Sequence, residues 1–338
     1  MKADSPVSIA VIGAGLFGAR HARVLAGISA CRLAAVADIN FNLAGQLAEE
    51  LGVRACRNTE DVLKEQSLDA LLIALPDAMH AETALAAIRS GCHVLLEKPM
   101  TTSLREAKQI MKATTGRDKV YMMGHLMRFD PRFIAVEQEI KNHKEEVLLV
   151  SIRKGISEAS AYHQKAGTNL IWHVAVHELD ALRFMTGLEI SEVYAASSQK
   201  KITRGNLLDH VAVAGKLHNG TAFSLSVSWA LPEAAGTSID SEWSIVTEKR
   251  AYNISVKNAG LSILTETGFH FPDVFRYQHK YGVHAGLIRD MDEHFINCIL
   301  NHAKPLADFS DGYQSVLICD AIARSLASGQ AEKTSASE

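Results

Sequence analysis

The stretch VSIAVIGAGLFG, residues 7–18, decides the fold. Its opening residues form an unbroken apolar run of strand length, and the residues after Gly18 turn to a helical pattern. Gly13, Gly15 and Gly18 therefore make a G-x-G-x-x-G turn between a strand and a helix, the setting in which that spacing binds a dinucleotide. The first glycine permits the tight turn. The second lets the backbone approach a pyrophosphate, and the third lets the helix pack on the strand. The helix N-terminus offers N–H groups and a partial positive charge to the anion. Leu16 and Phe17 lie inside this loop and are counted with it as cofactor-binding positions.

Working outward, RLAAVAD (32–38) reads as a second strand ending in Asp38. Its carboxylate can accept hydrogen bonds from a ribose 2′-hydroxyl and would repel a 2′-phosphate. Ile39 and Asn40 add no cation. NAD is the expected cofactor, with NADP open through arginines elsewhere. Strand and helix then alternate: FNLAGQLAEELG is helical to Gly52, VRAC and LDALLIALP are strands, HAETALAAIRSG is a helix closed by Gly91, and CHVLLEKP is a strand. SLREAKQIMKATTG carries Ser103 and Glu106 at capping-box spacing, and VYMMG (120–124) is a last short strand. Continuous apolar strands alternating with helices imply a parallel sheet covered on both faces.

Beyond about residue 125 the pattern changes. One helix near 131–143 and the strand VLLVSIRKG lead to a helical segment. Residues 190–265 then show period-two runs with turns at HNG (218–220) and EKR (248–250). Helices return at 284–300 and 311–328. The expected architecture is α/β: a Rossmann domain at 1–124, a domain at 125–330 with a large, mostly antiparallel open sheet, and a flexible tail at 331–338.

Bulk properties narrow the function. A chain of 338 residues suits two domains. A net charge of −3 without a basic run argues against nucleic acid. No apolar stretch reaches membrane-spanning length, and the N-terminus runs straight into a strand, so neither a membrane nor a signal peptide is expected. The five scattered cysteines read as reduced thiols and a cytoplasmic location.

Two stretches carry chemistry. In GCHVLLEKPM (91–100) a strand ends in Glu97-Lys98-Pro99 at the carboxyl edge of the sheet, where open α/β sheets bind ligands. An amine there can hydrogen-bond a substrate hydroxyl. In IWHVAVHELDALRFMTG (171–187), His173 and His177 stand four apart. With Asp180 and Phe184 they share one helical face. They can be a proton-handling pair, two metal ligands needing a third from His163 or His210, or buried polar groups without chemistry. H-E-x-x-H is absent, Glu178 points off the face, and no metal is assigned.

GAGLFG, Asp38, ALPDAMH (74–80), EKP (97–99), GHLMRFDP (124–131) and HELDALRFMTG together resemble the Gfo/Idh/MocA oxidoreductases, named for glucose–fructose oxidoreductase and inositol dehydrogenase. The resemblance covers almost the whole chain. It implies hydride transfer between the nicotinamide C4 and a hydroxyl-bearing carbon of a sugar, sugar derivative or cyclitol, in a homodimer or homotetramer. The family lysine falls on Lys98 and the family histidine on His177, with the later aspartate at Asp180. The family aspartate four residues before the histidine falls on His173, a departure. Ala74, Pro76 and His80 match the loop over the cofactor; Glu97 and Arg128 are further cofactor candidates. Tyr162, His163 and Lys165 lie where substrate contacts vary. NAD-dependent glycoside cleavage by transient oxidation, and a non-catalytic NAD(P)-binding sensor, are the competing functions.

Overall fold

A computed structural model describes residues 5–64, 67–159, 169–200, 207–257, 261–266, 268–272 and 274–335. The chain divides into two compact units, Met1–Phe129 with Val274–Tyr313, and Asp130–Asp273 with Gln314–Glu338.

The first unit holds a six-stranded parallel sheet: β1 (Val7–Ile12), β2 (Cys31–Ala37), β3 (Arg54–Cys56), β4 (Ala70–Ile73), β5 (His93–Glu97) and β6 (Tyr121–Gly124), in the order β3-β2-β1-β4-β5-β6. Every residue of β1 and β4 is buried, as their continuous apolar character requires of strands covered on both faces. Each such Val, Leu or Ile contributes about 1.5–3 kcal/mol of burial. The helices stop where expected. Gly52 takes the left-handed conformation after Phe41–Leu51, φ 67°. Ser103 caps Leu104–Thr114 by accepting from Glu106 N. The return half of the capping box is rerouted, because the Glu106 carboxylate accepts from Thr101 Oγ1.

The boundary expected at 124/125 needs correction. Val274–Tyr313 belongs to the first unit. Helix Leu287–Asn301 carries Ile288, Met291, Phe295 and Ile299 into one apolar core with Ile9, Val11, Leu25 and Leu72. Its amphipathic pattern was visible in the sequence, but not which sheet it would cover.

The second unit is built on β7 (Val147–Ser157), β8 (Ile190–Ser198), β9 (His210–Leu217), β10 (Ala222–Leu231), β11 (Ile239–Thr247) and β12 (Ala251–Ser255). Their order is β12-β11-β7-β10-β9-β8, closed at one edge by the short strand Glu332–Lys333. β7 and β10 pair in parallel and the other neighbours are antiparallel. Hairpins join β9 to β10 and β11 to β12 at the two turns read from the sequence. Helices Pro131–His143 and Val176–Thr186 pack together in this unit, and Phe133 meets Trp243 edge-on at 5.3 Å. The expected flexible tail is likewise corrected: Glu332–Lys333 pairs with β8, and Thr334 N donates to Ser191 O.

Candidate active site

The fingerprint glycines do three separable jobs. Gly13 has φ 104°, and a side chain there would lie 2.2 Å from Ala74 O. A Cβ on Gly18 would sit 1.8 Å from Gly13 O. Both are therefore demanded by the protein's own packing. A Cβ on Gly15 would meet nothing within 4 Å. Packing does not require that glycine, and the open space beside it is where a pyrophosphate would approach the backbone. Leu16 and Phe17, 67% and 44% exposed, begin the helix Leu16–Ala26 at the same place.

Asp38 is oriented rather than merely present. One carboxylate oxygen accepts from Ala14 N and the other from Asn40 N, each at 2.8 Å. Each oxygen keeps a further lone pair for a ribose hydroxyl. The residues thus fit a dinucleotide whose ribose lacks a 2′-phosphate.

Lys98 follows β5 directly, partly accessible, with a cis Lys98–Pro99 bond. Glu97, counted above as a cofactor contact, turns inward. Its Oε1 lies 3.2 Å from His21 Nε2, and its Oε2 accepts from Lys98 N at 3.3 Å. His21 is fully buried, with Nδ1 2.8 Å from Asp292 Oδ1. Burial opposes charge on this imidazole, but Asp292 and then Glu97 outweigh it and push its pKa up to about 10. Burial likewise acts to raise Glu97, and His21 overrides it, holding that carboxyl below the usual range.

Two candidates are corrected by burial. His80 has no exposed surface, and its ring nitrogens face Pro99 O at 2.6 Å and Leu75 O at 2.8 Å. It braces the loop after β4 against the loop after β5 and presents no ring surface to a cofactor. Arg128, 5% exposed, donates to Leu306 O at 2.7 Å and pairs with Asp311 at 2.9 Å. It ties the segment after β6 to the start of helix Phe309–Ser328. Ala74 and Pro76 remain partly accessible at the end of β4.

In the second unit, a π-helical turn, Ile171–Ala175, runs into the α-helix Val176–Thr186. The expected continuous α-helix is therefore wider by a residue per turn in its first part, a distortion common at functional sites. From Leu170 to Arg183, His173 and His177 are the two positions not buried. The His173 ring lies 6.2 Å from that of Trp229, which is fully buried. Asp180 is buried, 3.6 Å from Arg183. Glu178 is buried too, and Lys154 on β7 donates to it at 2.7 Å. His210 meets Ser226 Oγ at 2.9 Å. Among the described residues no three His, Cys, Asp or Glu side chains are grouped to hold a metal ion. Tyr162, His163 and Lys165 lie outside the described residues.

The residues that sequence reasoning missed are His21 and Asp292. A polar residue three positions after Gly18, on a helix face that must pack on the sheet, was the available signal for His21. Nothing local marks Asp292, 271 residues away.

A Rossmann unit with an open glycine loop and an oriented Asp38, joined to an open-sheet unit carrying an accessible histidine pair, defines an NAD-binding oxidoreductase. Residues 7–125 match the family model described as "Oxidoreductase family, NAD-binding Rossmann fold", and residues 146–334 match its C-terminal alpha/beta domain. The chain belongs to the GFO/IDH/MocA oxidoreductase family. It is 26% identical to an inositol 2-dehydrogenase of Rubrobacter xylanophilus, over 98% of this chain and 95% of that one. Among solved structures, GenD2 from gentamicin A biosynthesis, in complex with NAD, superposes with a TM-score of 0.86 at 21% identity, covering 99% of this chain and 98% of that one. The scyllo-inositol dehydrogenase of Lactobacillus casei, with bound NAD(H) and scyllo-inositol, gives 0.84 at 20% identity, covering 98% of this chain and all of that one, 100%.

Proposed function

We propose that the protein is an NAD-dependent dehydrogenase of a secondary hydroxyl on a cyclitol or cyclic sugar. The observation that carries this reading is the exposure pattern of the histidine segment: from Leu170 to Arg183 every position is buried except His173 and His177. A hydride can leave carbon only as the hydroxyl loses its proton, so the reaction needs a base at the surface of the substrate unit. His177 is that base, because an imidazole with a pKa near 6.5 accepts a proton at neutral pH. Lys98 holds the substrate oxygen and stabilises the alkoxide character it develops. His173 lines the pocket and orients the ring, and Asp180 supports the same helix. The nicotinamide, when bound, supplies the hydride acceptor; Gly13–Gly18, Asp38, Ala74 and Pro76 hold and orient the dinucleotide.

The same reading places the protein in the cytoplasm, in keeping with its five free thiols. It also assigns homo-oligomerisation to the outer face of the second sheet. A register-matched row of exposed residues crosses that face from Tyr194 through Ala214 and Ser224 to Ser151, beside Leu149. Sedimentation of the full chain tests it, a monomer being the contrary result.

The test of function is absorbance at 340 nm with myo-inositol, scyllo-inositol and a panel of hexoses and their acids, with NAD and NADP in parallel and EDTA present. Reduction of NAD by a cyclitol or sugar is expected. No reduction by any of them, or a strict need for NADP, contradicts the reading.

A further inference from the structure

Hydride transfer as proposed uses Lys98 and His177 and leaves a buried ionisable cluster of the first unit unexplained. His21, Glu97 and Asp292 come from three elements of the first unit: the fingerprint helix, the end of β5, and helix Leu287–Asn301. His21 faces both oxygens of Asp292, at 2.8 and 3.0 Å, and Glu97 on its other side at 3.2 Å. The neighbouring strand is shaped around this arrangement. Gly124 pairs with Glu97 across β5 and β6, and a Cβ there would lie 2.8 Å from Glu97 Oε1. Glu97 is in turn bonded to the backbone N–H of Lys98.

We propose that His21 is a positioning residue for the reaction: a buried cation that holds the Glu97 carboxylate between itself and Lys98 N, and so fixes the direction in which the Lys98 amine leaves the sheet. The inference rests on the role given above to Lys98. Buried ions are a weak source of stability, and an apolar trio of similar volume is often as good. What an ion cluster supplies at this place is direction. The titratable groups around it are Glu293 beside Asp292 on one side, and Lys98 and His80 beside Glu97 on the other. Carboxylates against both ring nitrogens favour the charged imidazole over the burial that opposes it, although burial also raises Asp292.

The test is a double-mutant cycle in the full-length protein with His21→Gln and Lys98→Met, reading kcat, KM and the Kd of NADH from its fluorescence. A positioning role through Lys98 predicts that H21Q lowers kcat by about ten- to hundredfold, the cost of misplacing a catalytic group. The Kd of NADH stays within about threefold, because the loss is confined to the chemical step. In the K98M background H21Q then has no further effect on kcat, since the pathway through Lys98 is already cut. The proposal is overturned if H21Q leaves kcat unchanged, if the two losses multiply, or if H21Q acts mainly on the Kd of NADH. Should H21Q not fold, Glu97→Gln carries the same cycle. If K98M itself keeps full kcat, the role of Lys98 fails and this inference with it. If K98M is impaired and H21Q is not, the inference alone fails.

Discussion

In the first unit, His21 has no exposed surface, and both of its ring nitrogens meet carboxylates. In the second, His173 and His177 are the two positions between Leu170 and Arg183 that reach solvent. The side chain is the same, and the surroundings give it opposite uses. Held between two carboxylates and cut off from water, an imidazole favours its charged form and does not meet a substrate. Accessible on a stretch that is otherwise buried, it can meet a substrate, as the proposed function asks of its base. On the proposed function, burial rather than residue type separates a group that aims chemistry from one that performs it.

The largest effect that would break this comparison is at His177. His177→Ala should lower kcat by about 10²- to 10⁴-fold, the usual contribution of a positioned general base. Exogenous imidazole should restore part of the rate. A variant with nearly full kcat would move the base elsewhere.

Next in size is the cofactor loop, where two glycines of one motif should fail differently. Gly15→Ala adds a methyl to open space. The protein should melt as the wild type does while the Kd of NADH rises about ten- to thirtyfold, a loss of about 1.4–2 kcal/mol of binding. Gly18→Ala drives a methyl into Gly13 O. It should cost about 1–3 kcal/mol of stability through overpacking, whether or not the cofactor is present. Calorimetry with and without NADH separates the two. Equal loss of stability in both variants would remove the distinction between packing glycine and ligand glycine.

These contrasts also mark what the sequence could say. The parallel sheet was legible because strands buried on both faces have to be apolar throughout. The cofactor loop was legible because its chemistry is local, with three glycines and an aspartate within one strand–helix–strand unit. The two hairpins of the second sheet were legible from HNG and EKR for the same reason. Assignments needing long-range partners were not. Helix Leu287–Asn301 was read as a helix but placed in the wrong unit, because an amphipathic pattern does not name the surface it covers. Glu97 and His80 stand beside the right loops, yet their side chains turn to His21 and to backbone carbonyls. The wider turn at Ile171–Ala175 has no marker in the residue types that form it.

A smaller effect sharpens the comparison inside the accessible pair. His173→Asp places a carboxylate one turn before His177. An anion favours the charged imidazole and should raise the pKa of the base, moving the acidic limb of kcat/KM up by about one pH unit. An unmoved limb would mean that His173 does not sense the charge of His177.

The smallest effect sets His21 against a second structural histidine of the same unit. His93, at the start of β5, accepts Val120 N at Nδ1, 2.9 Å away. Burial, helped by Lys119, depresses its pKa to about 4, against a carboxylate contribution from Asp69. The two rings must therefore answer pH with opposite signs. The folded pKa of His21 is raised, so its contribution to stability is complete below about 6.5 and is lost as pH climbs towards about 10. The folded pKa of His93 is lowered, so its contribution is complete above about 6.5 and is lost as pH falls towards about 4. Protonation there also destroys the acceptor that β6 uses. His93→Asn keeps an acceptor that cannot titrate, and should flatten the acid side of the melting profile by about 1 kcal/mol, because the ring is partly exposed and screened. H21Q should flatten the alkaline side and leave the acid side alone. If both substitutions flattened the same limb, charge at His21 and neutrality at His93 would no longer be distinct states, and the contrast between aiming and merely holding would have to rest on geometry alone.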